Sequence, residues 1–258
     1  MSRRDFLVKG VQLAAGGLVA TTVVGKVWPA GTTLAQGKEA PRDWTRVWEE
    51  HEWAFVVDTR RCIGCGRCVV ACKKENGVPL EAEVTRTWVE QYAVMADGRT
   101  EVISPHGGQD GFAETKVTGE MSKAFFVPKL CNQCEKPPCV KVCPVAATYQ
   151  TGDGVVLVDR ERCIGCRYCI QACPYGARFL HPELHVADKC TWCYHRITKG
   201  LLPACVQTCP TGARQFGDLK APDSAVKKIL EEQPSNVLKP AMGTEPQVYY
   251  LALDRVVI

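Results

Sequence analysis

Apolar residues along this chain fall into short runs rather than long periodic stretches. Phe55 to Val57 and Val155 to Val158 have the aliphatic and aromatic composition of short strands, and Trp88 to Val94 and Phe125 to Val127 read the same way. Between Ala147 and Asp159 the segment ATYQTGDGVVLVD sets a Gly-Asp-Gly turn between two extended runs, which predicts a hairpin. His181 to Glu183 is placed to turn a similar hairpin before Val186. Ser104 to Gly111, with Pro105, Gly107 and Gly108, reads as a loop. Ser224 to Glu232 shows helical spacing, with Val226, Ile229 and Leu230 as a packing stripe. Near the start, Val11 to Gly25 is apolar but rich in Ala, Gly and Thr, and falls short of the roughly 20 residues that span a bilayer.

Composition changes this picture through one residue type. The 258 residues include 16 cysteines, in four groups: Cys62, Cys65, Cys68, Cys72; Cys131, Cys134, Cys139, Cys143; Cys163, Cys166, Cys169, Cys173; and Cys190, Cys193, Cys205, Cys209. In every group two residues separate the first pair and three separate the last pair. A loop with closely spaced cysteines can wrap three thiolates around one cubane iron-sulfur cluster. The fourth, usually followed by proline, lies beyond the loop and in two-cluster ferredoxins ligates the neighbouring cluster. Pro144, Pro174 and Pro210 follow the last cysteine of three groups, whereas Lys73 follows Cys72. Asp58 to Cys72 (DTRRCIGCGRCVVAC) and Asp159 to Cys173 (DRERCIGCRYCIQAC) are an internal repeat, each entered from one of the apolar runs. CPVAA at Cys143, CPYGA at Cys173 and CPTGA at Cys209 form a second shared signature.

Two plainer readings compete. An even number of cysteines in an exported chain is ordinarily a disulfide framework, but such frameworks serve cores too small to fold alone, and this chain is long enough for an ordinary core. Paired CxxC half-sites also build structural zinc centres, yet zinc needs no third and fourth cysteine at these offsets. A zinc or disulfide module would be colourless, which separates it from an iron-sulfur protein.

The four groups, with CNQCEKPPCVKVCP at Cys131 to Pro144, CTWC at Cys190, the long gap from Cys193 to Cys205, FGDL and GTEPQVYYL, resemble the four-cluster iron-sulfur subunits of dimethyl sulfoxide reductase-family molybdopterin oxidoreductases. The resemblance spans roughly Phe55 to Leu251. It implies an α+β fold of two ferredoxin-like dicluster modules with short antiparallel hairpins and short helices, plus an insertion and a C-terminal extension. The expected boundaries are 36–75 with 186–258 for the outer module, 76–124 for the insertion, and 125–185 for the inner module. It also implies nested ligation of four 4Fe-4S clusters. Cys62, Cys65, Cys68 and Cys209 would hold the first and Cys190, Cys193, Cys205 and Cys72 the second. Cys131, Cys134, Cys139 and Cys173 would hold the third, and Cys163, Cys166, Cys169 and Cys143 the fourth. The implied partners are a molybdopterin catalytic subunit and an integral membrane quinone-interacting subunit, with this chain carrying electrons between them and catalysing no bond chemistry itself. A soluble polyferredoxin, or a carrier linked to a hydrogenase or nitrite reductase, is the alternative.

SRRDFL at Ser2 to Leu7 resembles a twin-arginine export motif, with Arg3 and Arg4 as the pair. With the apolar stretch behind it and Ala35 as a plausible cleavage point, residues 1–35 read as a signal peptide. This predicts a periplasmic protein with no span of its own in the mature chain, held at the membrane through a partner.

Charge refines the picture last. Of the formal +4, three charges lie in that leader, where Arg3, Arg4, Lys9 and Lys26 face Asp5. Four oxidised cubanes with their thiolates add roughly eight negative charges, so the loaded protein is expected to be acidic. Arg60, Arg61, Arg67, Lys73, Lys74, Lys129, Arg160, Arg162, Arg167 and Lys189 flank the cysteine loops, where positive charge raises a cluster's potential. These basic residues track the cysteines and form no separate tract, which argues against a nucleic-acid partner. The aromatics Tyr168 and Trp192 are expected to shield a cluster, and His181, His185 and His195 to be surface or hydrogen-bonding groups.

Overall fold

Residues 51–113 and 119–257 are described in the structure, a computed structural model; the expected leader, with Arg3 and Arg4, lies outside them. The first strand, β1 (Trp53–Asp58), is buried almost throughout. Its near-continuous apolar sequence follows from having cover on both faces. Phe55 and Val57 enter the main core with Trp192, Phe216 and Tyr250, while Ala54 and Val56 pack on the other side against Val226 and Leu251. β1 pairs antiparallel with β9 (Arg214–Asp218) and parallel with β11 (Val248–Leu251), and β10 (Ser235–Asn236) closes the far edge of this four-stranded sheet.

Where the repeat continues beyond β1, its two copies diverge. The first runs into helix α1 (Arg67–Asn76), the second into a single turn, α3 (Tyr168–Gln171). The divergence has a local cause. Pro174 after Cys173 cannot donate to a helix interior, whereas Lys73 after Cys72 lets the helix run on until Gly77, in the left-handed region, donates its N–H to the Lys73 carbonyl. Lys73 itself is buried, and its ammonium donates to the carbonyls of Leu80 at 3.0 Å and Ala82 at 2.5 Å, which folds the following segment back. Two other single turns, α2 (Pro138–Lys141) and α5 (Ala204–Gln207), likewise stop ahead of a Cys-Pro, and α4 (Tyr194–Ile197) follows Cys193.

Between the first two cysteine groups lies a three-stranded antiparallel sheet, in the order β3 (Thr100–Ile103), β2 (Thr87–Met95), β4 (Met121–Leu130). β4 runs across residue 125, where the sequence placed the edge of the insertion. The sheet and its connection rest on the first cysteine loop. A Cβ on Gly66 would meet the Gly108 carbonyl oxygen at 2.4 Å, and one on Gly64 would meet the Phe126 ring at 2.6 Å. Gly66 and its counterpart Arg167 share the same left-handed backbone, φ 68° and 67°. An arginine adopts that backbone in the second copy, so it is the close packing of the insertion that requires glycine at the first site.

Both expected hairpins form, as β5 (Thr148–Gln150) with β6 (Val156–Val158) and β7 (Arg178–Leu180) with β8 (Ala187–Lys189). Asp153 in the Gly-Asp-Gly turn accepts from Trp53 Nε1 at 2.9 Å and Tyr194 hydroxyl at 3.2 Å, so this turn is tied to β1. Helix α6 (Ala225–Glu232) starts where Ser224 Oγ accepts from the Lys227 N–H. It docks Val226, Ile229 and Leu230 beside Ala54 and Val56, and burying Val226 alone contributes about 1.5–3 kcal/mol. Small, mostly antiparallel sheets and short helices make this an α+β fold. Among the described residues no helix is long and apolar enough to cross a membrane.

Candidate metal centre

All sixteen cysteines are free thiols. Cys62, Cys65, Cys68 and Cys209 line one cavity, together with Thr211, Ala213 and Arg214. Cys131, Cys134, Cys139 and Cys173 line a second, with Asn132, Tyr175 and Arg178. In a third place, fully buried, Cys72 meets the thiols of Cys190, Cys205 and Cys193. Asn76 Nδ2 lies 3.5 Å from Cys72 Sγ and 3.8 Å from Cys193 Sγ there. Of the remaining set, Cys163 and Cys169 join a small apolar cluster with Val156 and Ala187, Cys166 is exposed and Cys143 is half-buried.

These places form a row. Cys205 of the third place lies near Cys68 of the first cavity, and Cys190 near Cys131 of the second. From the second cavity Arg178 reaches both Cys139 and Cys169. The two ends of the row approach solvent at equivalent positions of the repeat. Cys65 and Cys166 are exposed, and beside them Ile63 and Ile164 are 59% and 66% exposed.

Backbone N–H groups point at sulfur, as the cysteine loops require. Ala187 donates to Cys163 Sγ at 3.3 Å, Trp192 to Cys190 Sγ at 3.4 Å and Thr148 to Cys143 Sγ at 3.5 Å. Burial pushes the thiol of Cys62 up to about 11, Cys139 to about 11, and Cys134 and Cys205 each to about 12. At Cys209 burial also acts upward, but N–H donation from Arg214 and the Thr211 hydroxyl outweigh it and hold the thiol below its ordinary value. Buried thiols become thiolates only against a cation that displaces their protons, so loading such a site releases protons.

Several buried donors sharpen the chemistry. Arg214 Nη1 and Nη2, Arg178 Nε and Nη1, Asn132 Nδ2 and Trp192 Nε1 have no hydrogen-bond partner among protein atoms. An unsatisfied buried donor costs about 1–3 kcal/mol. Cavities walled by four thiols and bordered by unpartnered donors fit a group that takes four thiolates and presents sulfide acceptors, which is a 4Fe-4S cluster. Among the described residues no three His, Cys, Asp or Glu groups are arranged to hold a single metal ion, as a zinc centre would require.

The flanking basic residues divide. Lys73 and Lys189 are fully buried, with Lys189 Nζ donating to the carbonyls of Val156 and Cys190. Arg60 pairs with Asp58, Lys129 with Glu90 and Arg162 with Asp159. Arg160 reaches Asp188 at 3.7 Å, and Arg61, Arg67, Lys74 and Arg167 are exposed. Trp192 is buried, and Tyr168 is 62% exposed. His181 bonds the Gly77 carbonyl at 3.1 Å and His195 bonds Glu75 at 2.8 Å. Sequence reasoning passed over Arg178 and Arg214, although the signal was one residue away: CPYGA and CPTGA both continue to arginine.

Residues 61–147 and 122–219 each match a family described as a 4Fe-4S dicluster domain. The protein is 43% identical over 255 residues to a tetrathionate reductase subunit of Salmonella typhimurium, covering 98% of its own length and 89% of the relative. It is 41% identical over 220 residues to a putative dimethyl sulfoxide reductase iron-sulfur subunit of Halobacterium salinarum, covering 77% and 78%. To a polysulfide reductase component of Wolinella succinogenes it is 36% identical over 205 residues, covering 79% and 96%.

Proposed function

This protein belongs to the family of four-cluster iron-sulfur subunits of dimethyl sulfoxide reductase-type oxidoreductases, and from that premise we propose that it links a molybdopterin catalytic subunit to a quinone-linked membrane subunit in an exported respiratory complex. It is an electron-transfer subunit of a reductase complex and carries four 4Fe-4S clusters. When bound, the clusters supply reversible one-electron transfer. The protein's own part is to hold them in a row, exclude water from the middle of it and set their potentials.

Ligation follows the nested scheme. Cys62, Cys65, Cys68 and Cys209 hold one cluster and Cys190, Cys193, Cys205 and Cys72 its neighbour. Cys131, Cys134, Cys139 and Cys173 hold a third, and Cys163, Cys166, Cys169 and Cys143 a fourth. The observation that carries this is the two cavities in which a fourth cysteine from a distant group joins three local ones. On this scheme residues 36–75 and 186–258 make the outer module, 125–185 the inner one, and 76–124 the insertion. The exposed cysteines Cys65 and Cys166 at the ends of the row support partners at both ends. The twin-arginine motif at Arg3 and Arg4 supports export to the periplasm. Near full-length similarity to a tetrathionate reductase subunit favours a complex that reduces a sulfur oxyanion.

Iron and acid-labile sulfide measured on anaerobically purified protein test this reading, with a redox titration followed by electron paramagnetic resonance. About sixteen of each per molecule and four reducible cubane signals are expected. Zinc or disulfides without sulfide would overturn it. A protein that carries the clusters but purifies as a free monomer, with no molybdopterin subunit, would be a soluble carrier instead.

A further inference from the structure

Among the described residues three arginines are buried, and they differ in what balances their charge. Arg86, 5% exposed, has a full protein complement: Asp188 accepts from Nε and Nη2, and Asn76 Oδ1 accepts from Nη1 at 2.8 Å. Arg178 and Arg214, at 4% and 2% exposure, have nothing comparable. Arg178 spends Nη2 on the Thr148 hydroxyl at 2.8 Å, leaving Nε and Nη1 unpartnered, and both terminal nitrogens of Arg214 are unpartnered. Neither is paired with a carboxylate among the described residues. What surrounds them is sulfur. Arg214 lines the first cavity and meets Cys62, Cys68 and also Cys205 of the adjoining set. Arg178 lines the second cavity and meets Cys131, Cys139 and also Cys169 of the adjoining set.

Their places in the repeats are equivalent. Each follows the fourth cysteine of its group in the same frame, CPYGAR and CPTGAR. The corresponding residues of the other two groups are Thr148 after Cys143 and Gly77 after Cys72, neither of them charged. Each module thus has two cysteine groups but a single buried guanidinium, and in the inner module the uncharged counterpart, Thr148, positions the charged one by accepting its hydrogen bond. A buried cation with unpartnered donors is tolerated only beside a permanent negative charge that can accept them, and a cluster with its thiolates is such a group.

We propose that Arg178 and Arg214 are intercluster positioning residues, one in each module, each donating to sulfur of both clusters of its module and raising the two reduction potentials together. The inference rests on the nested ligation given above. A charge between two clusters acts on both in the same direction, so it moves the two potentials of a module together and leaves the step between them nearly unchanged.

The test is a potentiometric titration of the anaerobic full-length protein, followed by electron paramagnetic resonance, for wild type and for Arg178→Met, Arg214→Met, Arg178→Lys and Arg214→Lys. Arg214→Met should disfavour reduction of the clusters at Cys62/Cys65/Cys68/Cys209 and Cys190/Cys193/Cys205/Cys72 at least tenfold, a downward shift of about 59 mV for a one-electron couple. The inner pair should not move. Arg178→Met should give the mirror image, and each lysine variant a smaller shift in the same pair. A shift confined to one cluster, spread equally over all four, or absent would overturn the proposal. If a methionine variant fails to assemble, the lysine variant decides by the same criterion. In wild type carrying 15N-guanidinium arginine, electron-nuclear double resonance should show nitrogen coupled to both reduced clusters of a module; its absence also overturns the proposal. Wild-type protein lacking four reducible cubanes would defeat the electron-transfer reading itself, whereas four cubanes whose potentials ignore both arginines would defeat this inference alone.

Discussion

A methyl group added at Gly66 would sit 2.4 Å from the carbonyl oxygen of Gly108 and 2.5 Å from that of Gln109, whereas one added at Gly77 would meet nothing within 4 Å. Both glycines have φ near +67°, so both alanine variants incur the left-handed backbone cost of about 1–2 kcal/mol. Only Gly66→Ala must also push the insertion off the first cysteine loop. Denaturant unfolding should therefore show the larger loss for Gly66→Ala, together with oxygen sensitivity of the cluster at Cys62. Equal losses would mean that the insertion does not press on the loop. At this scale the sequence was legible wherever chemistry demands a residue type, as with the cysteines. It was opaque where a charged residue acts by burial: Lys73 and Lys189 sit among the flanking basic residues with no mark of being fully enclosed, and Arg178 and Arg214 were not singled out at all.

In the β3-β2-β4 sheet, Glu90 on β2 is the acceptor for three neighbours: Lys129 Nζ at 2.6 Å across the pair, Trp88 Nε1 at 2.7 Å and the Tyr92 hydroxyl at 2.8 Å. Burial acts to raise the Glu90 carboxyl, but the bonds from Lys129 and Trp88 outweigh it and hold the group below its ordinary 4.5. A carboxyl depressed by folding adds stability that is present above the unfolded value and is lost as pH falls through the folded one. Glu90→Gln should destabilise the protein by about 1–3 kcal/mol at neutral pH, and the deficit should shrink on acidification below about 4.5 as wild type loses the same contribution. A deficit independent of pH would place the effect in packing instead of charge. The hairpins at β5-β6 and β7-β8 were legible because both strands and their turn are contiguous. The pairing of β1 with β9 and β11 was not, since an apolar run states that a strand is buried but not which distant strand lies beside it.

Across the whole molecule the chain is wound from the outside inward and back out. β1 lies against β9 and β11 from the far end of the described residues, and Cys209 lines a cavity with Cys62. The nested ligation makes a sharp forecast for Cys72→Ala. The cluster of Cys190, Cys193 and Cys205 should be lost or converted, seen as a missing or three-iron resonance signal, while that of Cys62, Cys65, Cys68 and Cys209 persists. Loss of the latter alone would contradict the scheme. The winding also bears on how the protein is made. A ribosome releases Cys62 early and Cys209 late, so the inner cavity can close while the outer one still lacks its fourth wall. Folding by segments in order of synthesis would leave the outer thiols open to the cell's metals until translation is nearly finished, and the last strand, β11, would act as the latch. A polypeptide truncated before Val248 would then emerge from the ribosome with its inner pair protected and its outer pair exposed to air.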